Sequence, residues 1–252
     1  MTDPVRSLVT RPLVATINTS RDSLGDRMKS QYEDRTRYGL PRRTYTLIRC
    51  DGKAFHTFTR GCEKPFDYHL SEAMATATEA LCRHAQGAQF GYTQSDEISV
   101  LLTDFADIHT DAWFDGNLQK IASVSASIVT AAFNAAGVSA AMALFDARVF
   151  TISDPIEVEN YFIWRQQDAT RNSIQGLAQA HFSHRELQGV SNAEVQNRLF
   201  TEKGVNWNDL SVIQKRGVVV GKDANADWSC DHDAPVFTQD REYLRSRIPR
   251  IQ

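Results

Sequence analysis

A chain of 252 residues, 42% hydrophobic and 23% charged, can bury a sizeable core, yet no apolar run approaches the roughly 20 residues that a membrane helix needs. Its 28 basic against 31 acidic residues give a net charge of −3, so any nucleic-acid contact must come from local basic patches rather than a bulk field. The opening MTDPVRSLVTRPLVATINTS lacks the charged start, apolar block and small-residue cleavage site of a secretion signal, and Cys50, Cys62, Cys82 and Cys230 form no CxxC pair; both point to a soluble protein in a reducing, cytoplasmic compartment.

In chain order, Thr44 to Cys50 (TYTLIRC) is short, apolar and β-branched and stops at Asp51-Gly52, a turn signal, which predicts a buried strand. Past Gly61 and Pro65, the residues Leu70, Ala73, Met74, Ala77 and Leu81 recur at helical spacing, with Asp67 placed as a cap. The runs Gln89 to Thr93 and Ile98 to Leu102, separated by Gln94, Ser95, Asp96 and Glu97, predict a hairpin with acids near its tip. A second amphipathic pattern from Leu118 to Phe133 ends near Gly137, and Phe145 to Ile152 (FDARVFTI) predicts a fourth strand. The order β-α-β-β-α-β is the ferredoxin-like pattern, in which two helices cover one face of an antiparallel sheet.

Beyond it, Asp154-Pro155 is a cap followed by Pro at a first helical position, and Ser191-Asn-Ala-Glu194 reads as a capping box opening a helix that Gly204 closes. The expected fold class is therefore α+β: a palm-type core over residues 22–153 with a four-stranded or larger antiparallel sheet, and an added helical region and tail over 154–252, together one catalytic unit. The last forty residues carry no clear pattern.

Asp51 ends the first strand and Asp96 sits in the turn between the second and third. In this topology the first strand lies beside that hairpin, so both carboxylates can project from one edge of the sheet. Two acids held so close repel each other unless cations lie between them, and magnesium selects carboxylate and carbonyl oxygens plus substrate phosphates. Taken singly, an Asp-Gly after a strand suits a plain turn and an acid at a hairpin tip suits solvent; their joint placement points to paired metal ions. The backbone from Lys53 through Ala54 and Phe55 to His56 follows the strand and is expected to offer N–H groups to a triphosphate.

The segments IRCDGKAFHTFTRG, CEKPFD, YTQSDEISVLL, FDARV, YFIWRQQDATRNSI and NWNDLSVIQKRG occur in this order between about Asp22 and Gly217. Together they resemble the tRNA-His guanylyltransferase family. The resemblance implies that Asp51 and Asp96 hold two Mg²⁺ ions with the Gly52 carbonyl as a further ligand, and that Glu97 completes or orients that site. It places Arg49, Lys64 and Lys120 on the activating nucleotide, gives His56 a phosphate contact, and adds Asp67 and Ser95 as nucleotide-binding residues. Arg165, Asp168, Asn172, Lys215 and Arg216 are expected at the RNA. Implied, too, are ATP and GTP as substrates, tRNA as partner, a homotetramer built as a dimer of dimers, and growth of the RNA in the 3′-to-5′ direction after ATP activates its 5′ end.

Departures from the family pattern matter as much. Thr170, Arg171, Asn172 and Ser173 stand where members dedicated to tRNA-His carry His-Ile-Asn-Asn, and FD-G-RV has become FDARV with Ala147. This resembles the relatives that extend 5′-truncated tRNA by template, so repair is the expected role and a single guanosine addition to tRNA-His the alternative. A nucleotidyl cyclase would share the palm and its acids, and a silent tRNA-binding module would not need them. Arg35, Arg37, Arg42 and Arg43 before the first strand, and Arg241, Arg245, Arg247 and Arg250 in the tail, suit either RNA phosphates or solvent. Cys230-Asp-His232-Asp reads as a surface loop, because no second ligand pair is spaced to complete a metal site.

Overall fold

The computed structural model describes residues 23–250. One unit runs up to Arg37 and a second from Tyr38 onward. In the first, Ser23 caps a short helix α1 (Leu24–Met28) by accepting the Asp26 amide at 3.1 Å, and π-helical and 3₁₀ turns follow to Thr36.

The second unit carries, in order, β1 (Tyr45–Gly52), α2 (Phe55–Phe58), α3 (Tyr68–His84), β2 (Ala88–Gln94), β3 (Glu97–Leu102), α4 (Leu118–Ala135), β4 (Phe145–Ile152), α5 (Pro155–Gln179), α6 (His184–Leu187), α7 (Asn192–Lys203), α8 (Val212–Arg216), β5 (Val218–Lys222), β6 (Trp228–Asp231) and α9 (Arg241–Arg245). The strands form one antiparallel sheet in the order β4-β1-β3-β2-β5-β6. Its first four members have the expected ferredoxin-like arrangement. Asp67 and Asp154 act as the caps that their positions suggested, accepting the amides of Leu70 and Ile156 at 3.0 and 2.8 Å.

Successive side chains in a strand point to opposite faces, and both faces of this sheet are covered. On one, Ile48, Cys50, Ile98 and Val100 pack against Ala73, Met74, Ala77 and Leu81 of α3 and Ile121, Val129 and Phe133 of α4. On the other, Tyr45, Leu47, Phe90, Tyr92 and Leu101 pack against Val158, Tyr161 and Phe162 of α5 and against Phe237, Leu244 and Ile248 of the tail. A third cluster joins the far half of α5, through Ile174, Leu177 and Ala178, to Val195 and Leu199 of α7. The stretch from Pro155 is one continuous 25-residue helix.

The region beyond 153 is not purely helical, because β5 and β6 return to the sheet and extend it past β2. Val218, Val219 and Val220 are buried on both faces, and such a short apolar run has no period to read. Gly217 makes the entry possible: its φ is +79°, and a β-carbon there would lie 2.2 Å from the Thr93 carbonyl oxygen.

Candidate active site

The site grows from the end of β1. Asp51 stands directly across from Glu97 of β3 and from Asp146 of β4, so three acids share one row on the face that α5 covers. Asp96 joins them from the two-residue turn Ser95-Asp96, where Ser95 takes a left-handed φ of +49° and its hydroxyl donates to Asp96 Oδ1 at 3.1 Å. The turn is tied to β1 by the Gly52 amide, which donates to the Asp96 carbonyl at 3.0 Å. Gly52 is also the only residue that fits: a β-carbon would come within 2.2 Å of the Phe55 ring, which packs against Phe133 and Phe145 beneath the site.

Like charges opposite one another are unfavourable unless something compensates. Glu97, 4% exposed, is compensated within the protein: Arg49 Nη2 lies 2.5 Å from its Oε2, and Arg165 Nε lies 2.7 Å from its Oε1. Asp51 and Asp96, by contrast, make no ion pair among the described residues. Burial and then the charge of Asp51 hold the Asp96 carboxyl above the usual carboxylate range. Burial, with repulsion from Asp146 and Asp51, pushes the Cys50 thiol on the other side of the strand up to about 12.

Among the described residues no group of three or more His, Cys, Asp or Glu side chains is placed to hold a metal. A cation at Asp51 and Asp96 would therefore draw on the Gly52 carbonyl and on substrate oxygens as well, the mixed oxygen set that magnesium takes. The donor chemistry fits.

Several expected residues sit elsewhere than their sequence blocks suggested. Arg165, expected at RNA, is 3% exposed and bound to Glu97 and to Asp168 at 2.6 Å, so it cannot reach a phosphate at the surface. Asp168 is spent in the same chain of charges, paired with Arg165 and Arg171. Arg49 is committed to Glu97, although its buried Nε finds no acceptor among the described residues. The Lys53 amide donates to the Leu144 carbonyl at 2.8 Å and is not open to a triphosphate; Ala54, at φ +54°, then turns the chain toward the exposed His56. Lys120 begins α4, ten residues before Thr130, whose hydroxyl accepts the Phe145 amide next to the site. That places Lys120 roughly 15 Å away along the helix axis.

Other expected residues converge on one cleft of about 230 Å³, lined by Lys64, Asp67, Ser95, Asn172, Lys215 and Arg216 among others. Asp67 gives both carboxylate oxygens to amides, those of Leu70 and Glu63, so its contribution there is mainly structural. Although burial opposes it, these bonds hold its carboxyl below the usual range. Lys215 donates to the Asn208 carbonyl at 2.7 Å, and the buried Arg216 Nε has no acceptor among the described residues.

Of the outlying basic residues, Arg42 pairs with Asp104 at 2.8 Å, while Arg241 and Arg245 clamp Glu159 at 2.6 and 2.8 Å. Their work is structural. The loop around His232 packs on α3, with His232 Nε2 3.6 Å from Glu72. Two features escaped the sequence reading. One is Asp146, exposed and across from Asp51; the FDARV block at the head of the fourth strand held the signal, since that strand neighbours the first. The other is the Glu97–Arg165 pair, 68 positions apart, for which no local pattern exists.

Comparison with known proteins places this arrangement. The model of the family described as tRNAHis guanylyltransferase matches residues 25–153. The chain belongs to the tRNA-His guanylyltransferase family. A bacterial tRNA-His guanylyltransferase-like protein in complex with ATP superposes with a TM-score of 0.85 at 48% identity, covering 90% of this chain and 99% of that one. A second bacterial protein of this kind, in complex with GTP, gives 0.77 at 43% identity over the same shares. The tRNA-His guanylyltransferase of Debaryomyces hansenii is 28% identical over 218 residues, 76% of this chain and 80% of that protein. Members of the family are tRNA guanylyltransferases, and the chain is accordingly a nucleotidyltransferase with an α+β, palm-type fold. No helix among the described residues is long and apolar enough to cross a membrane.

Proposed function

We propose that the chain extends the 5′ end of tRNA in the 3′-to-5′ direction, selecting each nucleotide by pairing with the opposite acceptor strand, and that it repairs 5′-truncated tRNA. The observation that carries this reading is the uneven treatment of the acids: Glu97 is neutralised by two arginines, while Asp51 and Asp96, joined through Gly52, carry uncompensated charge. Two Mg²⁺ ions held by Asp51, Asp96 and the Gly52 carbonyl would ease deprotonation of an attacking hydroxyl and offset charge on a departing phosphate.

Around that pair, the turn from Ala54 to the exposed His56 faces the triphosphate of the incoming nucleotide. The cleft of Lys64, Ser95, Asn172, Lys215 and Arg216 receives the 5′ end and the phosphates that activate it, charge-assisted contacts suited to Lys and Arg. In the first step an oxygen of the RNA 5′-monophosphate attacks the α-phosphorus of ATP and pyrophosphate leaves. In the second, the 3′-hydroxyl of the incoming nucleotide attacks the activated 5′-phosphorus and AMP leaves. Glu97 and Arg165 act as positioning residues that hold the hairpin tip and Asp96 in place.

Repair, rather than a single guanosine addition, is supported by what replaces His-Ile-Asn-Asn. Here Arg171 pairs with Asp168 in place of the motif's isoleucine, and the Ser173 hydroxyl, in place of its last asparagine, accepts the Trp207 indole N–H at 3.0 Å. GTP joins ATP as a proposed substrate, and a homotetramer is the proposed assembly, to be read from sedimentation. The deciding assay supplies 5′-truncated tRNA, ATP, GTP and Mg²⁺. Extension is expected, and Asp96→Ala should lower it by at least about 10²- to 10³-fold while RNA affinity stays near wild type. Extension that survives Asp96→Ala would sink the reading.

A further inference from the structure

Trp164 lies on α5 with 49% of its surface exposed, yet its ring is held from two sides. The Arg165 guanidinium is 4.1 Å from the ring centroid, and Tyr161 meets it edge-on at 6.0 Å. Both supports are themselves fixed: Arg165 by Glu97 and Asp168, Tyr161 by a 2.8 Å hydrogen bond with Ser99. The rest of the ring borders an open hollow of about 440 Å³, shared with Gln167, Thr170 and Arg171.

A flat, rigid aromatic surface rimmed by amide, hydroxyl and guanidinium groups fits a ligand that is itself flat and carries hydrogen-bonding edges. A nucleobase has both, and stacking on an aromatic side chain needs no particular base. An apolar peptide covering the hollow would offer no partner to the Gln167 amide or to the Arg171 donors not engaged by Asp168, which is costly. Arg171, with 63% of its side chain exposed, spends one arm on Asp168 and keeps other donors of its planar fork for an adjacent phosphate. The hollow is also linked to the acids by a chain of contacts: the guanidinium that backs the ring is the one that holds Glu97, and Glu97 is in register with Asp51.

We infer that Trp164 is a stacking platform for an unpaired base of the RNA substrate, with Arg171 on a neighbouring phosphate. This rests on the proposed action on truncated tRNA, in which the acceptor-strand base opposite the missing nucleotide is unpaired. The test uses the full chain and a 5′-truncated tRNA carrying 2-aminopurine at that base. Wild type should quench its fluorescence on binding. Trp164→Ala should abolish the quench and raise KM for the tRNA by about 5- to 100-fold, with kcat at saturating RNA within about threefold, and Trp164→Phe should keep most of both signals. Unchanged KM and quench in Trp164→Ala would overturn the platform, as would a change in subunit assembly on sedimentation, which would make Trp164 a contact between copies. If wild type neither binds nor extends the RNA, the functional reading fails first and separately.

Discussion

Glu97 and Glu159 are built from the same parts and behave differently. Each is a buried glutamate gripped by two arginines, Arg49 and Arg165 in one case and Arg241 and Arg245 in the other. At Glu159 the arginine side chains are 44% and 48% exposed; burial still opposes the charge, but hydrogen bonds from Arg245 and then Arg241 hold the carboxyl below its usual range. At Glu97 the partners are 21% and 3% exposed, and burial wins, holding the carboxyl above its usual range despite Arg165 and Arg49, with Asp51 adding repulsion. The tail clamp is a finished structural joint. Beside Glu97, the negative charge left for cations is that of Asp51 and Asp96, which make no ion pair among the described residues.

The contrast can be broken most sharply at Arg165. Arg165→Met leaves Glu97 buried with one partner and should cost about 3–5 kcal/mol in chemical denaturation, with loss of nucleotide transfer. A variant as stable as wild type would show that the pair does not anchor the hairpin. Glu159→Gln should destabilise by about 1–3 kcal/mol at pH 7 and leave kcat within about threefold, because its clamp lies at the other end of the covered face. The smallest effect belongs to Arg245→Ala, a slight lowering of the denaturation midpoint, since Arg241 remains and both arginines are half in water.

Acid sharpens the comparison further. A carboxyl held below its ordinary pKa contributes stability that is present above the unfolded value and lost as pH falls through the folded one. The stability gap between wild type and Glu159→Gln should therefore narrow as pH drops below the ordinary glutamate range, measured by urea denaturation along the series. Glu97 has the opposite sign: its raised carboxyl favours the folded state on the acid side and loses that contribution as pH rises through the folded value. A Glu159 gap that widens in acid would contradict the clamp.

Most of the palm was legible because its signals are local. The periodicity from Leu70 to Leu81, the cap at Asp67 and the Ser95-Asp96 turn each sit within a few residues of what they determine. Asp51 and Asp96 were legible because strand order in this topology makes their convergence a consequence of chain order. The placements that were not legible depend on contacts that no neighbourhood encodes: Arg165 is buried against Glu97, and Lys120 lies on the first turn of α4, ten residues before Thr130. The C-terminal strands were hidden by a run of three valines that suits a strand or a buried helix equally well.

Because α5 is unbroken, it also works as a ruler. Trp164 borders the hollow and Asn172 the cleft, eight residues and roughly 12 Å apart along the axis. Chemical groups of a substrate that touch both must match that interval, and no rotation of a side chain can change it.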